Sequence, residues 1–364
     1  MSQDDGRHMA HALALSRRGL GRVWPNPSVG CVIVKDGVVV GRGVTAPGGR
    51  PHAEPQALAM AGAAARGATA YVTLEPCAHH GKTPPCANAL VAAGVARVVS
   101  ALQDPDPRVS GGGHAILRAA GIAVTTGVME AEARAVQQGF LSRITLGRPM
   151  LTLKLALSVD GRIATASGES RWITGPEARA RVHLMRASHD AVLVGGGTAR
   201  ADDPELTVRG LGIGAQPVRI VAASRLDLPR GGRMEAAIAH GPFWLVHGPD
   251  APEEARAYWA ARGARLIGCR AGAGGLDAGA LMQALGAEGL TRVFCEGGGQ
   301  FAAALVGAGL VDRLEVFGAG LLLGADGRAG LGVLGHDRLA EAPRFRLVSA
   351  GTVGADVWQS WAQG

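Results

Sequence analysis

The sequence predicts two consecutive α/β domains. Its 364 residues exceed what one hydrophobic core usually organises, since cores rarely grow beyond about 250–300 residues. Strand-like and helix-like segments alternate along both halves, which is typical of layered α/β folds. A turn-rich stretch at Thr145–Pro149 separates the halves. We therefore predict one domain over residues 1–147 and a second over residues 148–364, with no internal repeat linking them.

The first domain is predicted to open with a helix and a hairpin. The residues Met9, Ala12, Leu13 and Ser16 share one helical face. Strand-like runs at 29–34 and 38–40 follow, and Asp36-Gly37 between them is a strong hairpin-turn signal. The later predicted elements alternate as helix 55–66, strand 70–74, helix 87–93, strand 95–101 and helix 113–120.

The second domain repeats this alternation with different spacing. A strand is predicted at 150–157, directly after the turn-rich boundary. Further predicted strands lie at 191–194, 219–222, 243–246, 292–294 and 313–317.

Composition narrows the function classes. The 56 glycines show no period, which excludes a collagen-like chain. The formal net charge of +7 is compatible with nucleic acid, a membrane surface or a phosphorylated substrate. Lysine and asparagine are rare, so Lys82, Lys154 and Asn26 are more informative than such residues usually are. Five cysteines in so long a chain favour free thiols or metal ligands over disulfides.

A candidate zinc site comes from three residues, His52, Cys77 and Cys86. One imidazole and two thiolates suit zinc, and three protein ligands leave the fourth tetrahedral position open for water. Zinc lowers the pKa of that water toward neutrality. Glu54, two residues after the histidine, is the candidate catalytic proton carrier. This order of residues matches the signature of zinc deaminases.

The loop between the two cysteines is longer than the Pro-Cys-x-x-Cys of nucleic-acid and nucleoside deaminases. It carries His79 and Lys82, and a Pro-Asn-Pro-Ser-Val-Gly motif spans residues 25–30. These features resemble the deaminase half of the bifunctional riboflavin-biosynthesis deaminase/reductase family. The resemblance implies a cytidine-deaminase-like α/β/α domain, in which Asn26, His79 and Lys82 contact the pyrimidine and its ribose phosphate.

Two glycine-rich turns follow strands of the second half, at Gly195–Thr198 and Gly297–Gly299. Backbone N–H groups in such turns approach phosphate oxygens closely, so the pair indicates a cofactor with a pyrophosphate. A third glycine-rich stretch, Gly318–Gly324, looks like a dinucleotide fingerprint, but its spacing is one residue too long. We interpret it as a packing loop.

These pieces resemble, in order and spacing, the reductase half of the same family, which has a dihydrofolate-reductase-like α/β fold. The resemblance implies that NADPH is bound by Ala156, Trp172, Thr198, Asp202, Ser224, Gly297, Gly298 and Gly299. It implies that the phosphoribosyl substrate is bound by Ser170, Arg186, Leu206, Arg209 and Glu296. The general acid of the reduction stays open between Asp202 and Lys154, of which Lys154 is the weaker candidate.

The resemblance implies zinc-dependent hydrolytic deamination of 2,5-diamino-6-(5-phosphoribosylamino)pyrimidin-4(3H)-one, followed by NADPH-dependent reduction of the ribosyl side chain to ribityl. It also implies one Zn²⁺ per chain. We expect a homo-oligomer with a phosphorylated pyrimidine as substrate and neither nucleic acid nor a membrane as partner. We expect a cytoplasmic location, because residues 1–10 lack an apolar signal core.

Two alternatives remain at this stage. A tRNA-type deaminase with an accessory nucleotide-binding domain would account for the basic net charge, but this chain lacks the short cysteine spacing of that class. Only 14 of 364 residues are aromatic, and stacking of bases requires aromatic side chains. A non-enzymatic binding module with structural zinc would need a fourth ligand and gives Glu54 no role.

Overall fold

The computed structural model describes residues 3–79, 84–272 and 274–364. The chain divides into two compact units, Met1–Gly147 and Arg148–Gly364. We call them the N-terminal and the C-terminal unit and treat each by itself.

The N-terminal unit is an α/β domain around one five-stranded sheet. Its helices are α1 (Gln3–Arg17), α2 (Ala53–Ala61), α3 (Cys86–Ala93), α4 (Gly112–Ala119) and α5 (Glu130–Leu146). Its strands are β1 (Gly30–Lys35), β2 (Val38–Val44), β3 (Thr69–Val72), β4 (Arg97–Ser100) and β5 (Ala123–Thr126). The sheet order is β2-β1-β3-β4-β5, with β3, β4 and β5 parallel to one another and β1 antiparallel to both its neighbours.

Glycines let two helices approach opposite faces of this sheet. A Cβ on Gly30 of β1 would lie 2.0 Å from the carbonyl oxygen of Ala12 in α1. A Cβ on Gly43 of β2 would lie 2.1 Å from the carbonyl oxygen of Ala53 in α2. Gly43 pairs with Cys31, the next residue after Gly30, so the two glycines face opposite sides. This close backbone packing fixes the start of α2 against the sheet.

The hairpin predicted at Asp36-Gly37 is confirmed. Both residues have positive φ, 50° and 78°, as a type I′ turn requires. The predicted helix at 55–66 is shorter, because α2 ends at Ala61 and a 3₁₀ turn over Gly62–Ala65 follows. The sequence analysis did not predict β5 or the 17-residue helix α5.

The C-terminal unit is built on a nine-stranded sheet. Its helices are α6 (Pro176–Ala187), α7 (Gly196–Asp202), α8 (Arg233–Ala236), α9 (Glu253–Ala261), α10 (Ala278–Ala287) and α11 (Gly299–Gly307). The strands of the large sheet are β6 (Met150–Ser158), β8 (Ala191–Gly195), β9 (Val218–Ala222), β10 (Phe243–His247), β11 (Arg265–Gly268), β14 (Arg292–Cys295), β15 (Arg313–Ala319), β17 (Phe345–Val353) and β18 (Asp356–Gln363). Two small ribbons pair β7 (Arg162–Ala164) with β16 (Arg328–Ala329) and β12 (Ala271–Gly272) with β13 (Gly275–Leu276).

The strand order β11-β10-β9-β8-β14-β6-β15-β18-β17 creates a switch point in the middle of this sheet. The chain leaves β6, builds outward from β8 to β11, and returns with β14 between β8 and β6. All pairs from β11 to β15 are parallel, so the carboxyl ends of β6, β8, β9 and β14 meet at one edge. Ligands of open α/β sheets bind at such a switch point.

The stretch at Gly318–Gly324 was interpreted as a packing loop, and this was wrong in one respect: after the end of β15 it is a loop, but Gly320, Leu321, Leu322 and Gly324 are exposed rather than packed. It continues from the end of β15 without a helix, and the Asp160 carboxylate accepts hydrogen bonds from the backbone N–H groups of Leu323 and Gly324. In the described part of the chain, none of the helices combines the length and the apolarity of a membrane span.

Candidate active sites

Three candidate metal ligands meet in the N-terminal unit. His52 is the N-cap residue of α2, Cys77 lies in the segment after β3, and Cys86 is the first residue of α3. The Nδ1 atom of His52 is 3.7 Å from the Sγ atom of Cys77 and 3.4 Å from that of Cys86. Within the described residues, this is the one group of three or more His, Cys, Asp and Glu side chains with metal-binding geometry.

The distances fit zinc. Bond lengths of about 2.3 Å to sulfur and about 2.0–2.1 Å to nitrogen in a tetrahedral site place these atoms about 3.5 Å apart. The two measured separations bracket that value. Three protein ligands are the number found in catalytic rather than structural zinc sites. The backbone N–H of Cys86 also donates to the Sγ atom of Cys77 at 3.3 Å, which orients that thiolate.

Glu54 lies in the first turn of α2 and is 3% exposed. Burial raises the pKa of its carboxyl to about 7, although a hydrogen bond with Cys86 opposes the shift. The two thiols share a hydrogen bond, which lowers the pKa of Cys77 and raises that of Cys86. A buried carboxyl beside the ligand cluster is suited to holding and releasing a proton there.

Glu75, which the sequence analysis missed, organises the backbone around the cluster. Its Oε1 accepts hydrogen bonds from the N–H groups of Gly113 and His114, and its Oε2 accepts from those of Asp104 and Gly111. The side chain is 3% exposed. Two residues before Cys77, it therefore anchors the 104–114 segment to the metal-binding loop. The sequence signal for Glu75 was its position directly before Pro76 and Cys77. This signal did not reveal its role, because its four hydrogen-bond donors are distant in sequence.

The structure describes two of the three predicted deaminase substrate contacts. The Asn26 amide packs against Gly49, where a Cβ would lie 1.8 Å from its Nδ2 atom, so Asn26 adjoins the loop that leads to His52. The Nδ1 atom of His79 is buried and has no hydrogen-bond partner among the described residues. Lys82 lies outside the described residues.

A cavity of about 1490 Å³ lies at the carboxyl edge of the sheet in the C-terminal unit. Every residue that the resemblance assigned to NADPH lines it: Ala156, Trp172, Thr198, Asp202, Ser224, Gly297, Gly298 and Gly299. Every residue assigned to the reductase substrate lines it as well: Ser170, Arg186, Leu206, Arg209 and Glu296. The structure thus brings all of them together, and their individual roles stay predictions.

The two glycine-rich turns form an open backbone cradle in this cavity. The N–H of Gly298 donates to the Oγ1 atom of Thr198 at 2.8 Å, which ties one turn to the other. A Cβ on Gly197 would meet nothing within 4 Å, whereas one on Gly297 would lie 2.5 Å from the Phe301 ring. Glycine-rich turns at the ends of strands suit an anionic pyrophosphate, so the turns fit NADPH.

Charged side chains line the cavity beside the cradle. Arg186 and Glu296 form a two-bond ion pair in which both side chains are nearly buried. Burial alone would raise the pKa of Glu296, but the charge and hydrogen bond of Arg186 outweigh it and lower that pKa. Burial lowers the pKa of Lys154, and the nearby Glu296 carboxylate opposes that shift.

His183 is a further cavity residue that the sequence analysis left unassigned. Its Nδ1 atom accepts a hydrogen bond from the backbone N–H of Arg209 at 3.3 Å, so the neutral ring carries its proton on Nε2. The Arg209 guanidinium is paired with Glu205 at 2.7 Å. The only sequence signal for His183 was its helical i, i+3 spacing from Arg186.

Comparisons with known proteins cover both units. A family model described as "RibD C-terminal domain" matches residues 149–358, and one described as "Cytidine and deoxycytidylate deaminase zinc-binding region" matches residues 2–102. The "Riboflavin biosynthesis protein RibD" of Escherichia coli (strain K12) is 45% identical over 97% of this chain and 98% of its own length. The protein of the same name from Haemophilus influenzae is 40% identical over 98% of this chain and 96% of its own length.

Solved structures agree over the same span. The structure "Acinetobacter baumannii RibD, form 1" superposes with a TM-score of 0.90 at 39% identity, covering 100% of this chain and 99% of that one. A Thermotoga maritima structure, titled as a diaminohydroxyphosphoribosylaminopyrimidine deaminase/5-amino-6-(5-phosphoribosylamino)uracil reductase, superposes with a TM-score of 0.85 at 31% identity and covers 99% of each chain.

Proposed function

The chain belongs to the RibD family of riboflavin-biosynthesis proteins, and on that basis we propose how its two units and their residues share the work. It is a bifunctional enzyme, a zinc-dependent deaminase and an NADPH-dependent reductase, with a cytidine-deaminase-like domain followed by a reductase domain. Its substrate is a small molecule, and a tRNA-type deaminase is not favoured. We assign deamination to residues 1–147 and reduction to residues 148–364.

The observation that carries the deaminase assignment is the cluster of His52, Cys77 and Cys86 with buried Glu54 beside it. We propose that the three residues hold zinc. Zinc, when bound, activates water for attack on the amino-bearing carbon of the pyrimidine. Glu54 accepts a proton on its carboxylate and donates it to the departing amino group, which leaves as ammonia.

We propose that Asn26, His79 and Lys82 bind the pyrimidine and its ribose phosphate. The Nδ1 atom of His79 is buried and has no partner among the described residues, which supports this role, because buried polar atoms are normally hydrogen-bonded. The packing of Asn26 against the loop before His52 supports the same placement.

In the C-terminal unit we propose that the glycine cradle and Ala156, Trp172, Thr198, Asp202 and Ser224 hold NADPH, which supplies a hydride when bound. Ser170, Arg186, Leu206, Arg209 and Glu296 would hold the phosphoribosyl substrate. An arginine side chain can make bidentate contacts with a phosphate, and Glu296 orients Arg186 for such a contact.

Lys154 is the better placed of the two proton-donor candidates. It is enclosed in the cavity next to Glu296, whereas the Asp202 side chain lies at the end of α7. We propose that Lys154 donates the proton that the ribose ring oxygen takes as its bond to C1 breaks. The hydride forms the new bond at C1, which completes the ribityl chain.

Single substitutions test this division of labour. Glu54→Gln is expected to lower ammonia release by about 10²–10⁴-fold at unchanged zinc content, since it removes the proton carrier and no ligand. The variant should still oxidise NADPH with the deaminated pyrimidine. Arg186→Met is expected to retain ammonia release and to lose NADPH oxidation. Loss of both activities in a folded Glu54→Gln protein would overturn the assignment.

We further propose a cytoplasmic homo-oligomer. All five cysteines are free, which fits a reducing compartment. Strand β17 forms an edge of the large sheet and exposes Leu347 and Val348, and unpaired edges of this kind favour association. Sedimentation equilibrium of the whole chain tests the second part, and a monomer at micromolar concentration would refute it.

A further inference from the structure

One side chain bridges the two ends of the loop that leads to the proposed zinc ligand His52. Residues 45–52, which we call the β2–α2 loop, follow the end of β2 at Val44 and reach the start of α2. Gln56 lies in α2 and is half-buried. Its Nε2 atom donates to the backbone carbonyl oxygens of Val44, of Pro51 at 3.1 Å and of His52 at 2.9 Å. Gln56 therefore ties the strand end of the loop to the end that carries the ligand.

His52 begins a helix without the hydrogen bond that an N-cap side chain normally makes. Such a side chain usually accepts an N–H group of the first turn. The His52 ring instead faces the thiols of Cys77 and Cys86, and among the described residues it makes no cap hydrogen bond with α2. Gln56 supplies a substitute contact, because it binds the His52 carbonyl oxygen from the same helix. A primary amide suits this position, since its two hydrogens can be shared among three carbonyl oxygens that lie close together.

The β2–α2 loop also supports Asn26, the proposed substrate residue. The N–H of Gly48 in the loop donates to the carbonyl oxygen of Arg22 at 2.8 Å. Asn26 packs against the next loop residue, Gly49. The loop that Gln56 holds is therefore in contact with the segment that carries Asn26.

We propose that Gln56 is a positioning residue for the deaminase site, which holds the main chain of the β2–α2 loop so that the Nδ1 atom of His52 faces the two cysteines. The inference rests on the proposed zinc site. Without the amide, the three carbonyl oxygens lose their shared donor, and the loop gains freedom that metal binding must then remove. Loss of an outer contact that holds a ligand in place weakens metal binding by about 10- to 100-fold.

The zinc affinity of the full chain tests the proposal without turnover. Competition with a chromogenic chelator would compare the parent chain with Gln56→Met and Gln56→Glu. The first substitution keeps the length of the side chain and removes the donor, and the second places carboxylate oxygens against the three carbonyl oxygens. We expect both variants to bind zinc about 10- to 100-fold more weakly, and Gln56→Glu to be the weaker of the two. Both new side chains can turn toward solvent at this half-buried position, so the fold should be retained.

Gln137→Met is the matched control for a loss of stability alone. Gln137 is buried in α5, and its Nε2 atom donates to the carbonyl oxygen of Ser28, outside the β2–α2 loop. Removal of this bond should lower the Tm and leave the zinc affinity unchanged. The visible absorption of the Co²⁺-loaded chains responds to the geometry of the ligands and gives a second readout. It should change in both Gln56 variants and match the parent in Gln137→Met.

His52→Ala separates failure of the positioning role from failure of the zinc site. It removes a proposed ligand, so stoichiometric zinc should be lost. If His52→Ala loses zinc while the Gln56 variants keep the zinc affinity of the parent, or its Co²⁺ spectrum, the positioning role is overturned and the zinc site stands. Equal weakening of zinc binding by Gln137→Met would also overturn the positioning role. If His52→Ala keeps its full zinc content, the proposed site is itself wrong.

Discussion

Glu75→Gln is the sharpest structural prediction for the N-terminal unit. Each oxygen of the Glu75 carboxylate accepts two backbone N–H groups, at 3.0–3.2 Å. A glutamine amide keeps the shape but offers one oxygen, so its NH₂ group must face two donors whichever way it is turned. Two hydrogen bonds to a charged acceptor are lost, at about 1.5–3 kcal/mol each. We therefore expect a loss of about 3–6 kcal/mol in the free energy of unfolding of this unit.

Differential scanning calorimetry of the full chain would measure that loss. For a domain of this size the expected shift is about 6–24 °C in the Tm of the N-terminal unit, with the transition of the C-terminal unit unchanged. Glu130→Gln is the matched control, since Glu130 forms an exposed ion pair with Arg134 worth about 0.3–0.5 kcal/mol. A loss below about 1 kcal/mol in Glu75→Gln would refute the view that this carboxylate anchors the 104–114 segment.

Three other outcomes follow from the two units. Burial lowers the pKa of His189 to about 3, so its neutral form stabilises the fold above pH 6.5 and this stability is lost as pH falls from 6.5 toward 3. Urea unfolding would measure the free energy of unfolding at pH 7 and at pH 5. The difference between the two values should be about 2 kcal/mol smaller in His189→Gln than in the parent chain, and an equal difference would contradict the burial argument. Removal of zinc by a chelator is expected to stop ammonia release and to lower the Tm of the N-terminal unit. Oxidation of NADPH with the deaminated pyrimidine should continue, and loss of both reactions would argue against separate sites. Gly43→Val should displace the start of α2, because the valine side chain would collide with the Ala53 carbonyl oxygen. We expect a lower zinc content, measured by atomic absorption. Full zinc content would show that α2 can move without loss of the metal site.

Local sequence signals predicted the parts of the fold that short-range chemistry determines. Asp36-Gly37 predicted a hairpin because few residue pairs adopt positive φ at both positions. Parallel strands with continuous buried apolar runs, such as β8 and β9, were predicted, whereas the parallel edge strands β5 and β11 were missed. Strand β17 escaped prediction because most of its side chains are exposed, so it shows no apolar alternation. Helix α5 escaped because the sequence was interpreted there as the approach to a domain boundary.

The residues of the candidate sites likewise divide into those that the local sequence predicts and those whose roles depend on the folded backbone. His52, Glu54, Cys77 and Cys86 were predicted because their residue types, order and spacing match the zinc-deaminase signature. Glu75 was missed, because its role depends on four N–H groups about 30–40 residues away, which only the folded backbone brings to it. Arg186 was identified by resemblance, whereas its partnership with Glu296 across 110 residues is a property of the fold.

Complementation tests the central claim most directly, that one chain carries two separate reactions in two separate units. Glu54→Gln and Arg186→Met would be assayed singly and as an equimolar mixture, with the diaminopyrimidine phosphoribosyl substrate and NADPH. We predict that Glu54→Gln alone releases little ammonia, that Arg186→Met alone releases ammonia without oxidising NADPH, and that the mixture does both. A mixture that releases ammonia but still leaves NADPH unoxidised would contradict the account.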